Sequence, residues 1–202
     1  LNTRPEERSR LRFRNMLFVN NSYDPGIHRP VDVTPSDKSA FGGPVSFIGT
    51  FEAPRAKSIL HLAQNGLAVR VWGNGWERMK NRHPNLRIEG RPAYNDEFAK
   101  VVANSDVNVC FLRRTNRDLQ TCRSIEIPAC AGFMLHERNG EIQALLRESR
   151  EAVYFSDDRE LLETCRDWLD RDSDRRSIAA NARYRVEELA LRHQDNISRI
   201  LE

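Results

Sequence analysis

Short apolar runs alternate with amphipathic stretches along the chain from residue 45 onward. Glycine or polar residues flank each run, a pattern that is typical of buried strands, and the stretches between the runs have helical periodicity. The runs that predict strands cover residues 45–48, 67–72, 86–90, 107–112, 133–136 and 152–155. Strands separated by helices form β-α-β units. This order therefore predicts an α/β fold in which helices cover both faces of a parallel sheet.

The residues at the ends of the amphipathic stretches set the helix boundaries. Pro54 suits the first turn of a helix and Gly66 suits its end. Asn95 or Asp96 caps the start of another helix. The predicted helices cover residues 54–65, 96–104, 121–130, 139–148, 158–170, 174–190 and 194–201, so the C-terminal part of the chain is helical.

Residues 1–44 differ from the rest of the chain. The first fifteen are polar, with five arginines among the first fourteen, and we interpret them as a tail. An apolar run at residues 16–20 predicts a strand. Residues 21–44 are rich in proline and glycine, which is typical of a loop or linker. The chain therefore divides into a tail with an interdomain linker, residues 1–44, and an α/β domain, residues 45–202.

The loop after the first strand is a candidate phosphate site, because ligands of parallel sheets bind outside the carboxyl ends of the strands. It contains Gly49 and Thr50, and the next helix carries Arg55 and Lys57 in its first turn. Glycine lets the backbone approach a ligand, and a helix N-terminus favours an anion. Two cations there oppose the helix dipole unless an anion is bound. The other interpretation is a solvent-exposed Arg–Lys pair.

The loop after the fourth strand leads into a helix that carries a second candidate group. Asp118, Arg123 and Ser124 precede Glu126, which is followed by apolar residues. A carboxylate in such a setting is partly buried and needs a partner. That partner is either the diol of a ribose, through two hydrogen bonds, or the guanidinium of Arg123, three residues earlier on the helix. The residues alone leave both interpretations open.

Aromatic residues and histidines near the strand ends add further candidates. Trp72 lies in a predicted strand and is expected in the core. Trp76 follows two glycines and is expected to line a pocket at the sheet edge. Tyr94, after the third strand, and His136, at the end of the fifth, are also placed at this edge. The five histidines have no spacing typical of a metal site, so no metal ligand is assigned.

Charge and motifs exclude several classes of function. The 32 Lys and Arg against 29 Asp and Glu give a net charge of +3. That charge is weaker than the basic surface typical of a nucleic-acid-binding protein, so no nucleic-acid partner is expected. The sequence contains neither G-x-G-x-x-G nor G-x-x-x-x-G-K-[ST], which disfavours dinucleotide enzymes and P-loop NTPases. No apolar run approaches the ~18 residues of a membrane span, and no signal-peptide pattern is present.

The four cysteines favour a reducing compartment. Cys110, Cys122, Cys130 and Cys165 form no Cys-x-x-Cys pair, and three of them lie within apolar patterns. Free cysteine behaves there as a small apolar residue. A disulfide scaffold would need a denser set of cysteines in a smaller chain. We therefore interpret the protein as cytoplasmic, with reduced thiols.

Several segments together carry a resemblance to a known family. They are residues 47–50 with Pro54 and Arg55, residues 71–76, residues 88–90 with Tyr94, residues 104–109 and residues 123–132. From about residue 45 to residue 190 the chain resembles the C-terminal, nucleotide-sugar-binding half of a GT-B glycosyltransferase of group 1, in its CgeB-like (spore maturation protein) branch. Residues 20–30 are similar to the segment that leads into this half. The resemblance implies a Rossmann-like domain.

The resemblance also implies roles for individual residues. Group 1 enzymes often carry a Glu-x7-Glu motif whose second Glu binds the donor ribose; Glu126 stands at that place, and Asp118 replaces the first Glu. Arg55 stands where the family holds the donor diphosphate, and Thr50 stands where many relatives have Arg. Arg55 and Glu126 are the implied catalytic residues. The implied nucleotide-sugar-binding set is Gly49, Thr50, Arg55, Trp76, Tyr94, Asp118, Arg123, Ser124 and Glu126.

The function that the resemblance implies is sugar transfer from a nucleotide-sugar, such as a UDP- or GDP-sugar, to an acceptor, without a cofactor or a bound metal. In a complete GT-B enzyme an N-terminal domain holds the acceptor, and residues 1–44 are too few to form one. We therefore expect this chain to bind the donor and to be incomplete as an enzyme by itself. The alternative is a non-catalytic nucleotide-binding or partner-docking domain derived from such a half.

Overall fold

Six strands in the described part of the chain, residues 17–201, form one sheet in this computed structural model. The tail predicted for residues 1–15 lies outside the described residues. The strands are β1 Gly43–Ile48, β2 Val69–Trp72, β3 Leu86–Ile88, β4 Ser105–Cys110, β5 Met134–Glu137 and β6 Val153–Phe155. Their order across the sheet is β3-β2-β1-β4-β5-β6, and each neighbouring pair is parallel.

Helices cover both faces of this sheet. They are α1 Pro35–Phe41, α2 Ala53–Gln64, α3 Asp96–Ala103, α4 Arg123–Ala129, α5 Gly140–Leu145, α6 Asp158–Leu169, α7 Asp172–Glu188 and α8 His193–Leu201. Helices α2 and α6 pack on one face, α3, α4 and α5 pack on the other, and α7 contributes to both cores. The predicted parallel α/β architecture with a helical C-terminus is confirmed.

Alternation along the strands divides the core into two layers. Val45 and Phe47 of β1 point to the face covered by α2 and α6, whereas Ile48 belongs to the opposite cluster. Val45 stands in register between Val69 of β2 and Val107 of β4, so three branched side chains meet at the centre of the sheet. Each such side chain contributes about 1.5–3 kcal/mol through burial.

Helix α1 was predicted as loop, and the structure corrects that prediction. The side-chain oxygen of Thr34 accepts a hydrogen bond from the Asp37 amide at 3.1 Å, and Pro35 occupies the first turn, where a proline costs no hydrogen bond. Lys100 of α3 pairs with Asp37 at 2.9 Å. The proline and polar residues that are typical of loops therefore form a capped helix start, which contacts α3.

The strand predicted at residues 16–20 is also corrected, because residues 17–22 form no strand in the structure. The backbone instead forms one parallel bridge, in which the Tyr23 amide donates to Leu191 and the Tyr23 carbonyl accepts from His193, each at 3.0 Å. Tyr23 is buried. The segment before the sheet is thus attached to the C-terminal helices. The division of the chain into two units at residue 45 stays a prediction.

The strand order creates a crevice at one edge of the sheet. From β1 the chain proceeds outward to β2 and β3, and it then returns to place β4 on the other side of β1. The connections that follow β1 and β4 therefore run in opposite directions and leave a gap at the carboxyl ends of these two strands. In open α/β sheets such a switch point is where ligands bind.

Candidate functional site

A cavity of about 510 Å³ opens at the switch point, where β1 and β4 end. Its volume falls within the range of about 300–1,000 Å³ that is usual for small-molecule sites. The structure brings six of the residues predicted from the sequence into its wall: Gly49, Thr50, Arg55, Asp118, Arg123 and Glu126. The two loops that the sequence singled out therefore face one shared space.

A second cavity of similar size, about 520 Å³, lies at the opposite edge of the sheet, near the starts of β4 and β5. Arg175 is the buried cation of its wall. It donates to the carbonyl oxygens of Trp168 and Leu169, and it pairs with Asp106 and Asp172 at 3.4 and 3.3 Å. Because this guanidinium is already occupied, the cavity at the carboxyl edge is the better candidate for an anionic ligand.

Arg55 occupies the switch-point cavity as a poorly paired, buried cation. It is 8% exposed, and its contacts are long: 3.4 Å to the Thr50 carbonyl, 3.5 Å to the Phe111 carbonyl and 3.7 Å to the Glu52 carboxylate. Its Nε atom has no hydrogen-bond partner among the described residues. Burial lowers the pKa of Arg55, because desolvation penalises the charged form. A buried guanidinium with unused donors is suited to bind an anion.

The start of α2 adds positive potential beside Arg55. The helix begins after Glu52, whose side chain makes no capping hydrogen bond, so the first amide groups of α2 are not capped by that residue. The Glu52 carboxylate instead pairs with Arg113 at 2.7 Å. Lys57, the other cation predicted here, is exposed. Of the two interpretations drawn from the sequence, the solvent-exposed pair therefore holds for Lys57 and not for Arg55.

Glu126 lies in the wall of the same cavity and is 8% exposed. The guanidinium of Arg123 pairs with its Oε2 atom, and the Arg123 Nε also donates to the Ile48 carbonyl at 3.3 Å. The ring of Phe98 lies 4.6 Å below this guanidinium. The ion pair that the sequence left open is therefore present. It does not exclude the ribose interpretation, because the carboxylate still borders the cavity.

His28 reaches Glu126 from the segment before the sheet. Its Nε2 atom lies 3.5 Å from Glu126 Oε1, and its Nδ1 atom accepts a hydrogen bond from the Asp24 amide at 3.1 Å. A neutral imidazole whose Nδ1 accepts carries its proton on Nε2. Burial lowers the pKa of His28, with the charge of Arg123 adding to this and that of Glu126 opposing it. The neutral ring therefore places its N–H group beside the carboxylate, at a distance longer than a normal hydrogen bond.

The lowered pKa of His28 predicts how stability depends on pH. The unfolded chain binds this proton more readily, so the contribution of His28 to stability is present above about pH 6.5 and is lost as the pH falls through the folded pKa. We expect the stability advantage of the wild type over His28→Gln to shrink between pH 7.5 and pH 5. The measurement is urea unfolding of both proteins across this range. An advantage that widens in acid would show that the folded pKa is raised instead.

Ser124 and His136 form an internal pair rather than a surface one. Both are fully buried. The Ser124 hydroxyl lies 2.8 Å from His136 Nε2 and accepts from the Thr121 amide, while His136 Nδ1 lies 2.6 Å from the Glu137 carbonyl. Ser124 is not among the described residues that line the cavity. Ser124, which was expected to bind the nucleotide-sugar, instead positions the start of α4.

Trp76 and Tyr94 also lie elsewhere than expected. Trp76 is fully buried, and its indole N–H donates to the Gly49 carbonyl at 2.8 Å. Gly73 makes this approach possible: its φ is +150°, and a Cβ there would lie 2.0 Å from the same carbonyl. Tyr94 is 64% exposed. Neither aromatic is among the described residues of the cavity wall, so Trp76 supports the loop from behind.

Trp76→Phe is therefore expected to affect stability and not binding. The Gly49 carbonyl loses its donor and the smaller ring leaves space, which together lower the free energy of unfolding by about 1–3 kcal/mol. Denaturant unfolding measures this loss. Trp168→Phe, at a half-buried tryptophan on α6, is the matched control. A variant of full stability that fails to bind ligand would place Trp76 in the pocket after all.

Residues that the sequence analysis did not select complete the cavity wall. They are Asn21, Phe47, Ile48, Cys110, Phe111, Arg113, Asn116, Gln120, Thr121 and Cys122. Asn21 reaches the wall through a hydrogen bond from its amide to the Gln120 side chain, 99 residues away in sequence. Contacts of this kind depend on tertiary structure and leave no local pattern. Phe111 lies within the strand predicted at residues 107–112 and directly follows the observed β4, and only the adjacency of β1 and β4 shows its importance.

Residues 17–201 contain neither a metal-binding cluster nor a membrane-spanning helix. Within that range no group of three or more His, Cys, Asp or Glu side chains is arranged to hold a metal ion. None of the helices there combines the length and the apolar character needed to cross a bilayer.

Comparison with known proteins identifies the family. The sequence profile of the family described as glycosyl transferase-like matches residues 55–201. The chain belongs to this family. The matched region begins at Arg55 and contains Glu126. Comparison with curated protein sequences finds no significant match.

Three solved structures illustrate the shared fold. The C-terminal domain of the Francisella tularensis group 1 protein LpcC aligns with a TM-score of 0.64 at 11% identity, over 82% of this chain and 97% of that one. Anabaena HepE in complex with UDP-glucose aligns with a TM-score of 0.66 at 15% identity, over 90% of this chain and 56% of that one. Sucrose-phosphate synthase from Thermosynechococcus elongatus aligns with a TM-score of 0.66 at 17% identity, over 89% of this chain and 51% of that one. This chain thus spans about half of the latter two structures.

Proposed function

We propose that the switch-point cavity binds a nucleoside diphosphate-sugar and that the chain is the donor-binding domain of a glycosyltransferase. The observation that carries this proposal is Arg55, a buried guanidinium in the cavity wall whose hydrogen bonds are long and whose Nε atom has no partner among the described residues. The family supports it, and so do the structures of HepE with UDP-glucose and with UDP and glucose. In this assignment the diphosphate lies at Arg55 and the ribose at Glu126.

The chemistry of glycosyl transfer fits these two positions. When the bond between the anomeric carbon and the diphosphate oxygen breaks, negative charge develops on the diphosphate. Arg55 and the amino end of α2 stabilise that charge. Glu126 accepts hydrogen bonds from the ribose hydroxyls and so fixes the leaving group. The proposed reaction needs no bound metal for this charge stabilisation.

The acceptor side of the reaction also belongs to the proposal. Transfer requires an acceptor hydroxyl to be held against the anomeric carbon, and such positioning accounts for about 7–11 kcal/mol of a barrier. We assign that role to a further, N-terminal domain, in line with the larger size of HepE and of sucrose-phosphate synthase. Residues 71–76 and 123–132 are the basis for placing the protein in the CgeB-like branch, and its free thiols favour the cytoplasm.

A thermal-shift series tests the proposal. UDP and GDP are expected to raise the melting temperature more than uridine and guanosine do, because only the diphosphates engage Arg55. The free bases, which also lack the ribose, should leave it unchanged. A ligand at 100 times its dissociation constant adds about 2.7 kcal/mol of stability. The nucleosides serve as matched controls because they lack only the phosphates. A flat response to every nucleoside diphosphate would contradict the proposal.

A further inference from the structure

The contacts of Glu126 leave room for a ribose and restrict how it binds. An ionised carboxylate has about four acceptor positions on its two oxygens. Arg123 takes one on Oε2, and the Nε2 atom of His28 lies 3.5 Å from Oε1, where the ring covers one more. One acceptor position on each oxygen is left for the cavity. Two vicinal hydroxyls match two such positions only when the plane of the carboxylate is fixed.

We propose that His28 is a positioning residue of the donor site, which holds Glu126 so that it recognises the ribose diol. This inference rests on the proposed function. It assigns selectivity for ribonucleoside diphosphates over their deoxy counterparts to a residue of the segment before the sheet, outside the domain that the family profile matches at residues 55–201. His28 does not touch the ligand; it acts through Glu126.

His28 has the fixed geometry that such a role requires. Its Nδ1 atom accepts from the Asp24 amide, so the ring cannot flip without losing that bond. Phe98 packs edge-on against the imidazole at a centroid distance of 5.3 Å, and the same Phe98 lies under Arg123. Arg183 of α7 donates to the carbonyls of His28 and Ala129. Both partners of Glu126 are therefore anchored to a common support.

The orientation of the imidazole proton gives His28 a specific effect on the carboxylate. Because Nδ1 accepts, the neutral ring carries its proton on Nε2, beside Glu126 Oε1. A phenylalanine would fill the same volume but offer no N–H, so the carboxylate would be held by Arg123 alone and could rotate. A glutamine offers both an acceptor for the Asp24 amide and a donor for Glu126.

The test compares two ligands that differ only in the diol. Isothermal titration measures binding of UDP and GDP and of their 2′,3′-dideoxy analogues to the full chain and to His28→Phe, His28→Gln and His61→Gln. His61 lies on α2, where its ring faces Asn65, and its variant is the matched control. Circular dichroism melts of each protein separate folding from binding.

We expect His28→Phe to bind the ribose ligands about tenfold more weakly and the dideoxy ligands as the wild type does. His28→Gln and His61→Gln should stay within about twofold of the wild type for both. A tenfold change corresponds to about 1.4 kcal/mol. Equal losses for both ligand types, or unchanged selectivity, would overturn the role of His28. A wild type that binds neither type would contradict the proposed function itself.

The wild-type protein gives the same test if His28→Phe does not fold. The ring nitrogens of His28 are followed by NMR during titration with each ligand. The His28 ring lies beside Glu126 Oε1, one of the two carboxylate oxygens that we assign to the ribose diol. The ribose ligand is therefore expected to shift the His28 resonances, and the dideoxy ligand to leave them in place. Identical responses to the two ligands would overturn the inference.

Discussion

Replacing Arg55 with methionine is expected to weaken the binding of UDP and GDP about 100-fold without lowering the stability of the fold. Hydrogen bonds to charged groups contribute about 1.5–3 kcal/mol, and 2.8 kcal/mol corresponds to about 100-fold. Stability is maintained because the guanidinium has long contacts and an unpartnered Nε atom within the described residues, so an apolar side chain removes a desolvation cost. Glu52 keeps its ion pair with Arg113.

Titration calorimetry and denaturant unfolding measure the two effects on the same preparations. Lys57→Met is the matched control, since it removes an exposed cation from the same turn of α2 and should leave binding within about twofold. Equal losses in the two variants would show that the helix end attracts nucleotides only through its general charge. A large fall in stability for Arg55→Met would show that Arg55 is a structural residue.

Glu126→Ala is expected to weaken nucleoside diphosphate binding by about 1–3 kcal/mol, which is the range for leaving hydrogen-bonding groups of a ligand unpaired. The loss should be confined to ligands with a ribose diol. The 2′,3′-dideoxy analogues should bind to the variant and to the wild type with the same affinity. Titration calorimetry with both ligand types measures the difference.

Glu97→Gln provides the control for this experiment. Glu97 also lies in the first turn of a helix and pairs with an arginine, Arg91, but it is outside the cavity wall. Reduced stability of Glu126→Ala with unchanged affinity for both ligand types would show that Glu126 serves only as the ion-pair partner of Arg123.

The architecture could be predicted from the sequence because each strand is short, apolar and flanked by glycine or polar residues. The predicted and observed limits of β1, β4 and β5 differ by two residues or less at either end. Helix α1 was missed because Thr34, Pro35 and Asp37 occur equally in turns and in capped helix starts. The difference between the two lies in tertiary contacts, here the pair between Asp37 and Lys100.

The candidate site could be predicted only in part, for reasons that also lie in tertiary structure. Arg55 and Glu126 were selected because strand ends and helix starts are visible in the sequence. The adjacency of β1 and β4, which places these residues in one cavity, is a property of strand order and has no local signal. His28 was set aside as one of five scattered histidines, although the structure places it against Glu126.

Trp76 shows how a local pattern misleads in the opposite direction. Gly73 and Gly75 suggest an exposed loop that presents an aromatic ring to a ligand. Both adopt positive φ, and the chain turns back so that the indole is buried against Phe47 and Phe51. The glycines are needed for this close backbone approach and not for ligand access.

The most direct test of the donor site is a crystal structure of the chain with UDP or GDP. We expect electron density in the switch-point cavity, with the diphosphate within hydrogen-bond distance of the Arg55 guanidinium and the ribose hydroxyls on Glu126. Density for the nucleotide in the cavity of similar size at the opposite sheet edge, near Arg175, would contradict it. So would a nucleotide in the switch-point cavity whose phosphates point away from Arg55.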